Sequence, residues 1–330
     1  MNQKFYAFVA IVFAAVTASS EAHADPIVLK IGTLAPAQSP WGKVFKTWSE
    51  GLKKRTEGKL DLQFFWNGTQ GDEIAMSAKI RNGQLDGAAF TATGLGQFNR
   101  DVLALQLPGV VGADWAKLDR ARDAVKPLLE PEFTKQKVTL LGWGDVGIAH
   151  LMSKGKGVAS PADLKSLHPY ALPGDPIGKA FLTRLGVPSQ TVQVTEIGHG
   201  LSSGRVDVVN SPAIAAEQLQ WASHLEYVNP MASGIAIGGL LFSSDKLASL
   251  PPELKEALVD TGAKAAKALT ARIRNEDAAA FERLKGKLKT VESSEADKAE
   301  WAKLFAAVRG DVCGPTLKAE ICTAIQNAVK

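Results

Sequence analysis

Residues 163–212 read DLKSLHPYALPGDPIGKAFLTRLGVPSQTVQVTEIGHGLSSGRVDVVNSP, and the punctuation of this stretch decides the fold. His168 to Leu172 leans toward a strand after a loop. Pro173-Gly174-Asp175-Pro176 is a turn that starts a helix, with Ile177, Ala180, Phe181 and Leu185 on one face and Gly186 to stop it. Thr191 to Val194 alternates as a strand does, Thr195 is placed to cap a short helix around Ile197 and Leu201, and Gly204 ends it. Val206 to Val209 is a further apolar strand. Strands alternating with helices in this way predict an α/β fold with a parallel sheet.

The same pattern opens the chain. Pro26 to Leu34 predicts a strand, and Trp41 to Thr56 an amphipathic helix with Trp41, Val44, Phe45, Trp48 and Leu52 at helical spacing. Leu60 to Trp66, the turn Asn67-Gly68, a helix over Asp72 to Asn82 and a strand over Asp86 to Phe90 complete a doubly wound β-α-β-α-β unit. A helix from Trp115 to Leu129 and a strand from Val138 to Trp143 follow. Gly147 to Ser153 then crosses toward a second lobe, Ala213 to Trp221 predicts a helix, and Leu225 to Phe242 holds the return crossing. From Pro251 the pattern is helical almost to Leu288, with Leu254, Leu258, Ala265, Leu269, Ile273, Ala280 and Leu284 as one apolar stripe and Ser249 as N-cap. The alternative there is two helices broken near Gly262 or Asn275. Ser294 to Val308 and Pro315 to Val329 supply two closing helices.

Residues 1–24 have the form of a cleaved secretory signal: Lys4, an apolar run from Phe5 to Ala18 and an Ala22-His23-Ala24 cleavage motif before Asp25. That run is shorter than the roughly 18 residues that argue for a membrane span, so an uncleaved anchor is the weaker reading. The 330-residue chain is then expected in the periplasm, and it is long enough for two lobes. Its net charge of +4 is scattered, with no basic stripe interleaved with aromatics, so nucleic acid is not an expected partner. Cys313 and Cys322 are the only cysteines. In an oxidising compartment they are placed to close a small loop, two buried free thiols being the alternative, and they make a poor zinc site without neighbouring histidines.

The motifs Asp163-Leu164-Lys165, Leu185-Gly186, Glu196-Ile197 and Gly204-Arg205-Val206-Asp207 with Pro212 resemble those of the dicarboxylate-binding (DctP) type of solute-binding protein from tripartite ATP-independent periplasmic (TRAP) transporters. Ser39-Pro40, Arg55-Thr56-Glu57-Gly58-Lys59, Gly71-Asp72-Glu73, Asn82-Gly83-Gln84-Leu85-Asp86 and Leu105 to Pro108 extend the resemblance over nearly the whole chain after residue 24. It implies a two-lobed periplasmic binding protein fold with doubly wound sheets, hinge strands and a long helix spanning both lobes. The expected division is residues 25–147 with about 236–275 in the first lobe, and 148–235 with about 276–330 in the second. It also implies a small-molecule solute, membrane permease subunits as partners, a monomeric state and no cofactor.

In an open α/β sheet a ligand sits beyond the carboxyl ends of the strands, here between two lobes. The resemblance puts Leu34, Glu73, Thr91, Ala149, Tyr170, Val194 and Ser211 at contact positions. Carboxylate-binding members usually carry arginine at the positions of Ala149 and Tyr170, because a guanidinium matches a carboxylate in shape and charge. Ser211 stands where the family has asparagine, with Asn210 one residue earlier. Trp66, Phe90 and Trp143 lie close by in sequence, so the pocket is expected to be more apolar than is usual for the family. It would suit an aromatic, neutral or lipid-like solute. Core packing is the competing reading of Trp41, Trp48, Trp66 and Trp143; satisfied core or surface roles compete for His150 and His168, and surface or hinge roles for Arg184 and Arg205.

No G-x-S-x-G, H-E-x-x-H, P-loop or G-x-G-x-x-G motif occurs in a context that would give it meaning, so no enzyme is expected. The remote alternative is a periplasmic hydrolase using Glu73, Asp145 and His150. A nearer one is a binding protein that shuttles its ligand or presents it to a sensor.

Overall fold

The structure is a computed structural model that describes residues 25–188 and 190–330. The signal expected over residues 1–24 lies outside the described residues. The first lobe begins with β1 (Ile27–Thr33), α1 (Pro40–Arg55), β2 (Leu60–Phe65), α2 (Glu73–Arg81), β3 (Gly87–Thr91), α3 (Ala92–Gly96) and α4 (Trp115–Lys135). The long strand β4 (Val138–Ser153) leads to α5 (Pro176–Leu185), α6 (Ile197–Ser203), β5 (Val208–Pro212) and α7 (Ala213–Gln218). The equally long β6 (Tyr227–Ser243) returns, followed by α8 (Ser244–Ala248), α9 (Pro252–Lys285), β7 (Lys289–Thr290), α10 (Glu295–Val312) and α11 (Ala319–Ala328).

One sheet of order β2-β1-β3-β6-β4-β5 runs through both lobes, with β7 added alongside β6. The first three strands are parallel, while β6 is antiparallel to both β3 and β4. β3 pairs only with Gly238–Phe242 of β6, and β5 only with Ala149–Ser153 of β4. Between those zones only β4 and β6 continue, and their register slips at Asp145/Gly147. An irregular pairing at this point leaves the sheet narrow where the lobes meet.

The apolar stripe of α9 is buried along its length, and the helix continues unbroken through Gly262 and Asn275 for 34 residues, about 50 Å. Glycine at 262 permits close approach to β4: a Cβ there would lie 2.8 Å from Leu141 Cδ1. Asp277 is the one charged residue buried in this face of α9. Its Oδ2 accepts the N–H of Ile148 at 2.7 Å and its Oδ1 that of Ile214 at 3.1 Å, so one carboxylate holds both the crossing strand and the start of α7. Gly147 has φ +142° and would bring a Cβ to 2.7 Å from Asp277 Cγ, which leaves room for glycine alone.

Several local expectations are corrected. The strands predicted at His168–Leu172 and Thr191–Val194 reduce to a single parallel bridge between Ala171 and Thr191. Side chains take over the ladder: Gln190 Nε2 donates to the carbonyls of His168, Pro169 and Arg205, and Asp207 accepts from the His168 N–H. Thr195 falls inside a 3₁₀ turn (Val194–Glu196) instead of capping α6. Ser249 ends α8, and Pro251 occupies the N-cap of α9. Helix α4 runs past Pro127 and Pro131 to Lys135, because buried Leu129 and Phe133 anchor the final turns. Cys313 and Cys322 are bridged.

The two C-terminal helices pack on different parts of the chain. Helix α10 begins on the second lobe, with Trp301 stacked at 6.3 Å on Phe181, and ends on the first, where Arg309 Nη1 donates to Pro108 O at 2.6 Å. Helix α11 lies wholly against the first lobe, its Ile321, Cys322 and Ile325 sharing a core with Leu118, Ala121 and Val125 of α4.

Asp277→Ala leaves the buried N–H groups of Ile148 and Ile214 unpaired, and is expected to cost about 3 kcal/mol. Asp277→Asn, which retains an acceptor, is expected to cost roughly half as much. Urea unfolding of the two variants checks the order; equal costs would mean that packing, not hydrogen bonding, is what Asp277 supplies.

Candidate functional site

A cavity of about 340 Å³ lies between the lobes where the sheet narrows. Its first-lobe wall carries Leu34 from the loop after β1, Phe90 and Thr91 from the end of β3, and Glu73 from the first turn of α2. The second lobe contributes Ala149 of β4, Tyr170, Val194, and Asn210 and Ser211 of β5. The first-lobe residues sit at or just beyond the carboxyl ends of the parallel strands β1 and β3 or on the helix α2 that follows β2. The second-lobe residues come from the crossing strand β4, the end of the antiparallel β5 and the loops before it.

Trp66 and Trp143 do not line the cavity. Trp66 stacks on Phe64 at 4.9 Å and Phe45 at 6.5 Å, on the α1 side of the sheet. Trp143 lies beneath the Arg122 guanidinium, 5.4 Å from its ring centre. Alternation along a strand sends a residue to one face or the other, and for these two the face is the packed one. The aromatic wall comes instead from Trp41, Trp221, Trp301, Phe181 and Phe305. Trp221, Trp301 and Phe305 lie well away from any strand end, so sequence reasoning by strand ends misses them, as it misses Gln106 and Ser233.

Three carboxylates border the cavity, and each is engaged by the chain's own donors. Glu73 is 3% exposed. Its Oε1 accepts the Thr91 N–H at 2.5 Å, and its Oε2 the Thr91 hydroxyl at 2.6 Å and the Gly94 N–H at 3.2 Å. Burial outweighs these bonds and raises its carboxyl to about 7. Asp175 caps α5 through the Ile177 N–H at 2.9 Å, and burial raises its carboxyl also. Asp145 is fully buried between two guanidiniums, with Arg122 Nη2 of α4 at 2.5 Å and Arg274 Nε of α9 at 2.7 Å. Asp119 holds the other side of Arg274 at 2.5 and 2.8 Å.

No arginine, lysine or histidine lines the cavity among the described residues. Near it, Glu73, Asp175 and Asp277 each accept one leading N–H, of α3, α5 and α7 respectively. Arg184 pairs with Asp311 and Arg205 with Glu196, both in exposed pairs. His168 pairs with Asp207 at 2.8 Å on the surface. Tyr170 faces the cavity with no hydrogen bond to its hydroxyl among the described residues, and burial pushes its phenol upward.

The acid and base residues named for hydrolysis are not assembled. His150 is buried outside the cavity wall, stacked at 4.0 Å on Phe281, and burial lowers its imidazole to about 4. Asp145 is committed to two arginines. No cluster of three or more His, Cys, Asp or Glu side chains suited to a metal ion occurs among the described residues, and no helix there is long and apolar enough to cross a membrane.

The chain is 25% identical over 287 residues to a solute-binding protein of Verminephrobacter eiseniae, covering 85% of this chain and 83% of that one. It is 24% identical over 282 residues to the uncharacterized protein y4mM of Sinorhizobium fredii, covering 85% of this chain and about half (51%) of that longer protein. Among solved structures, the sugar acid binding protein DctPAm of Advenella mimigardefordensis, in complex with galactonate, superposes with a TM-score of 0.85 at 16% identity, covering 92% of this chain and 98% of that one. A TRAP periplasmic solute-binding protein of Sulfurospirillum deleyianum with bound succinate gives 0.84 at 18% identity, covering 92% and 99%. These similarities carry the fold: two lobes around a cleft. Residues 31–311 match the sequence model of DctP, the bacterial extracellular solute-binding protein family 7, and the chain belongs to that family of TRAP solute-binding proteins.

Proposed function

We propose that this chain is the exported, monomeric solute-binding subunit of a TRAP transporter, and that it captures a small neutral solute with an aromatic or otherwise apolar body. TRAP solute-binding proteins are periplasmic and work with membrane permease subunits. The observation that carries the solute class is the charge of the wall: three carboxylates and no basic side chain. A carboxylate entering such a cleft would lose its hydration with no cation to replace it, a cost of several kcal/mol. Galactonate and succinate are acids bound by two proteins of similar fold. Here Ala149 and Tyr170 stand where a guanidinium would be needed to hold such a group. A volume of 340 Å³ is at the small end for organic ligands and suits a compact solute. Capture follows by closure of the two lobes, which buries the solute against both walls.

Native mass spectrometry of protein purified without refolding tests the solute class directly. A retained neutral compound is expected; a retained carboxylic acid would sink the reading. Tyr170→Ala is expected to weaken the affinity for that compound at least about tenfold while thermal unfolding stays close to wild type.

Glu73 makes a separate expectation for stability. Its carboxyl rises from 4.5 to about 7 on folding, so the folded chain holds this proton more tightly than the unfolded chain does. The stabilisation is complete below about pH 4.5 and is lost as pH rises through about 7, for a total near 3 kcal/mol. Asp277, raised from 3.8 to about 6, adds a slope of the same sign at lower pH. Urea unfolding from pH 5 to pH 8 is therefore expected to fall less steeply for Glu73→Gln than for wild type. Parallel curves would show that Glu73 is ionised throughout.

A further inference from the structure

Two side-chain carboxamides, Gln106 and Asn210, line the cavity. Gln106 closes the 3₁₀ turn Arg100–Gln106 of the first lobe and lines the cavity. Its Oε1 accepts the N–H of Ile237 at 2.9 Å, one residue past the last β3–β6 pair, Thr91 with Gly238. A backbone N–H can only donate, so the atom facing Ile237 is the carbonyl oxygen and the Nε2 amino group is turned away from the sheet. It has no partner among the described residues. Asn210 stands opposite on the second lobe. Its carboxamide bonds the Ser233 hydroxyl at 2.8 Å, a group that can donate or accept and that also lies 3.3 Å from the Ala149 carbonyl. In either amide orientation at least one Nδ2 N–H is left without a partner among the described residues. Both carboxamides therefore flank the same run of β6, residues 233–237, one from each lobe.

We propose that Gln106 determines specificity by donating from Nε2 to an uncharged oxygen acceptor of the solute, of the ketone, amide or lactone kind, with Asn210 donating from the facing lobe. This rests on the neutral-solute reading above. A wholly apolar solute would strip water from both amino groups on closure and leave them unpaired, which costs more than the apolar contact returns at those two points. A carboxylate would satisfy them but would bring a charge that no base on the wall offsets. A carbonyl oxygen accepts two N–H bonds and carries no net charge. Donors on opposite lobes also link recognition to closure, since a solute bonded to both must touch both lobes.

Phenylacetamide, phenylacetate and phenethylamine share one apolar body and differ in the group presented to these donors. Calorimetric titration of all three into wild type, Gln106→Glu and Gln106→Met tests the assignment. Gln106→Glu retains an oxygen for the Ile237 N–H and replaces the donor with an acceptor, so it isolates recognition from folding even where Gln106→Met proves unstable. Phenylacetamide is expected to bind wild type and to weaken roughly tenfold in both variants. Phenethylamine is expected to gain affinity in Gln106→Glu alone, a change that a merely structural glutamine would not produce. Equal binding of phenylacetamide by all three proteins, or no saturable binding to wild type at millimolar concentration, overturns the role of Gln106. Tighter binding of phenylacetate than of phenylacetamide by wild type would instead remove the neutral-solute reading itself.

Discussion

The buried Asp145 carboxylate, gripped by Arg122 from α4 and Arg274 from α9, is the interaction on which the rest depends. It sits where the register of β4 and β6 slips and the sheet is reduced to two strands. A lone charge at such depth would be intolerable, and removal of one partner from a buried pair of this kind typically costs about 3–5 kcal/mol. The network therefore fixes a helix of the first lobe and the long α9 onto the crossing strand. It has a second effect. Two guanidiniums close behind the cavity wall are consumed by the protein's own carboxylates, and Trp115 and Trp143 cover their faces at 4.8 and 5.4 Å. Positive charge is abundant beside the cleft and absent from its surface.

The same substitution of internal for external partners recurs around the cavity. Glu73 and Asp175 on the wall, and Asp277 behind it, each accept an N–H at a helix start. Beside these carboxylates and a few hydroxyls the wall is aromatic and aliphatic carbon, with the carboxamides of Gln106 and Asn210 and the Tyr170 phenol. Selectivity is thus set as much by which groups have been satisfied internally as by which groups are present.

Much of this architecture was legible in the sequence because its signals are local. Asp175, Gly186 and Gly204 mark helix ends through backbone chemistry that needs no tertiary partner, and the stripe from Leu254 to Leu284 fixes α9 by periodicity. The family resemblance supplied seven of the nine wall residues, and the strand-end rule pointed to the loops that carry most of them. That rule failed for Trp66 and Trp143, where the face of a strand had to be chosen and residue type does not choose it. Trp301, Phe305 and Gln106 were beyond reach for a different reason: they are brought to the wall by the docking of α10 and of a 3₁₀ turn, long-range events with no local signature. The extended segments around Tyr170 and Val192 read as strands because their composition is right, yet Pro169 and Pro173 deny them donors and Gln190 supplies bonds a ladder would have made.

The passage of α10 from one lobe to the other bears on how the cleft can move. Two strands and α9 already cross between the lobes, and α10 adds a connection that lies off the sheet, its far end bonded through Cys313 to a helix seated on α4. Bodies joined along a single line can swing, twist and slide; a further attachment away from that line removes the twist and the slide. Trp301 and Phe305 ride on the attachment itself, so the part of the wall they form travels with neither lobe alone. In the closure proposed above, that part of the wall belongs to a helix packed against both sides of the cleft.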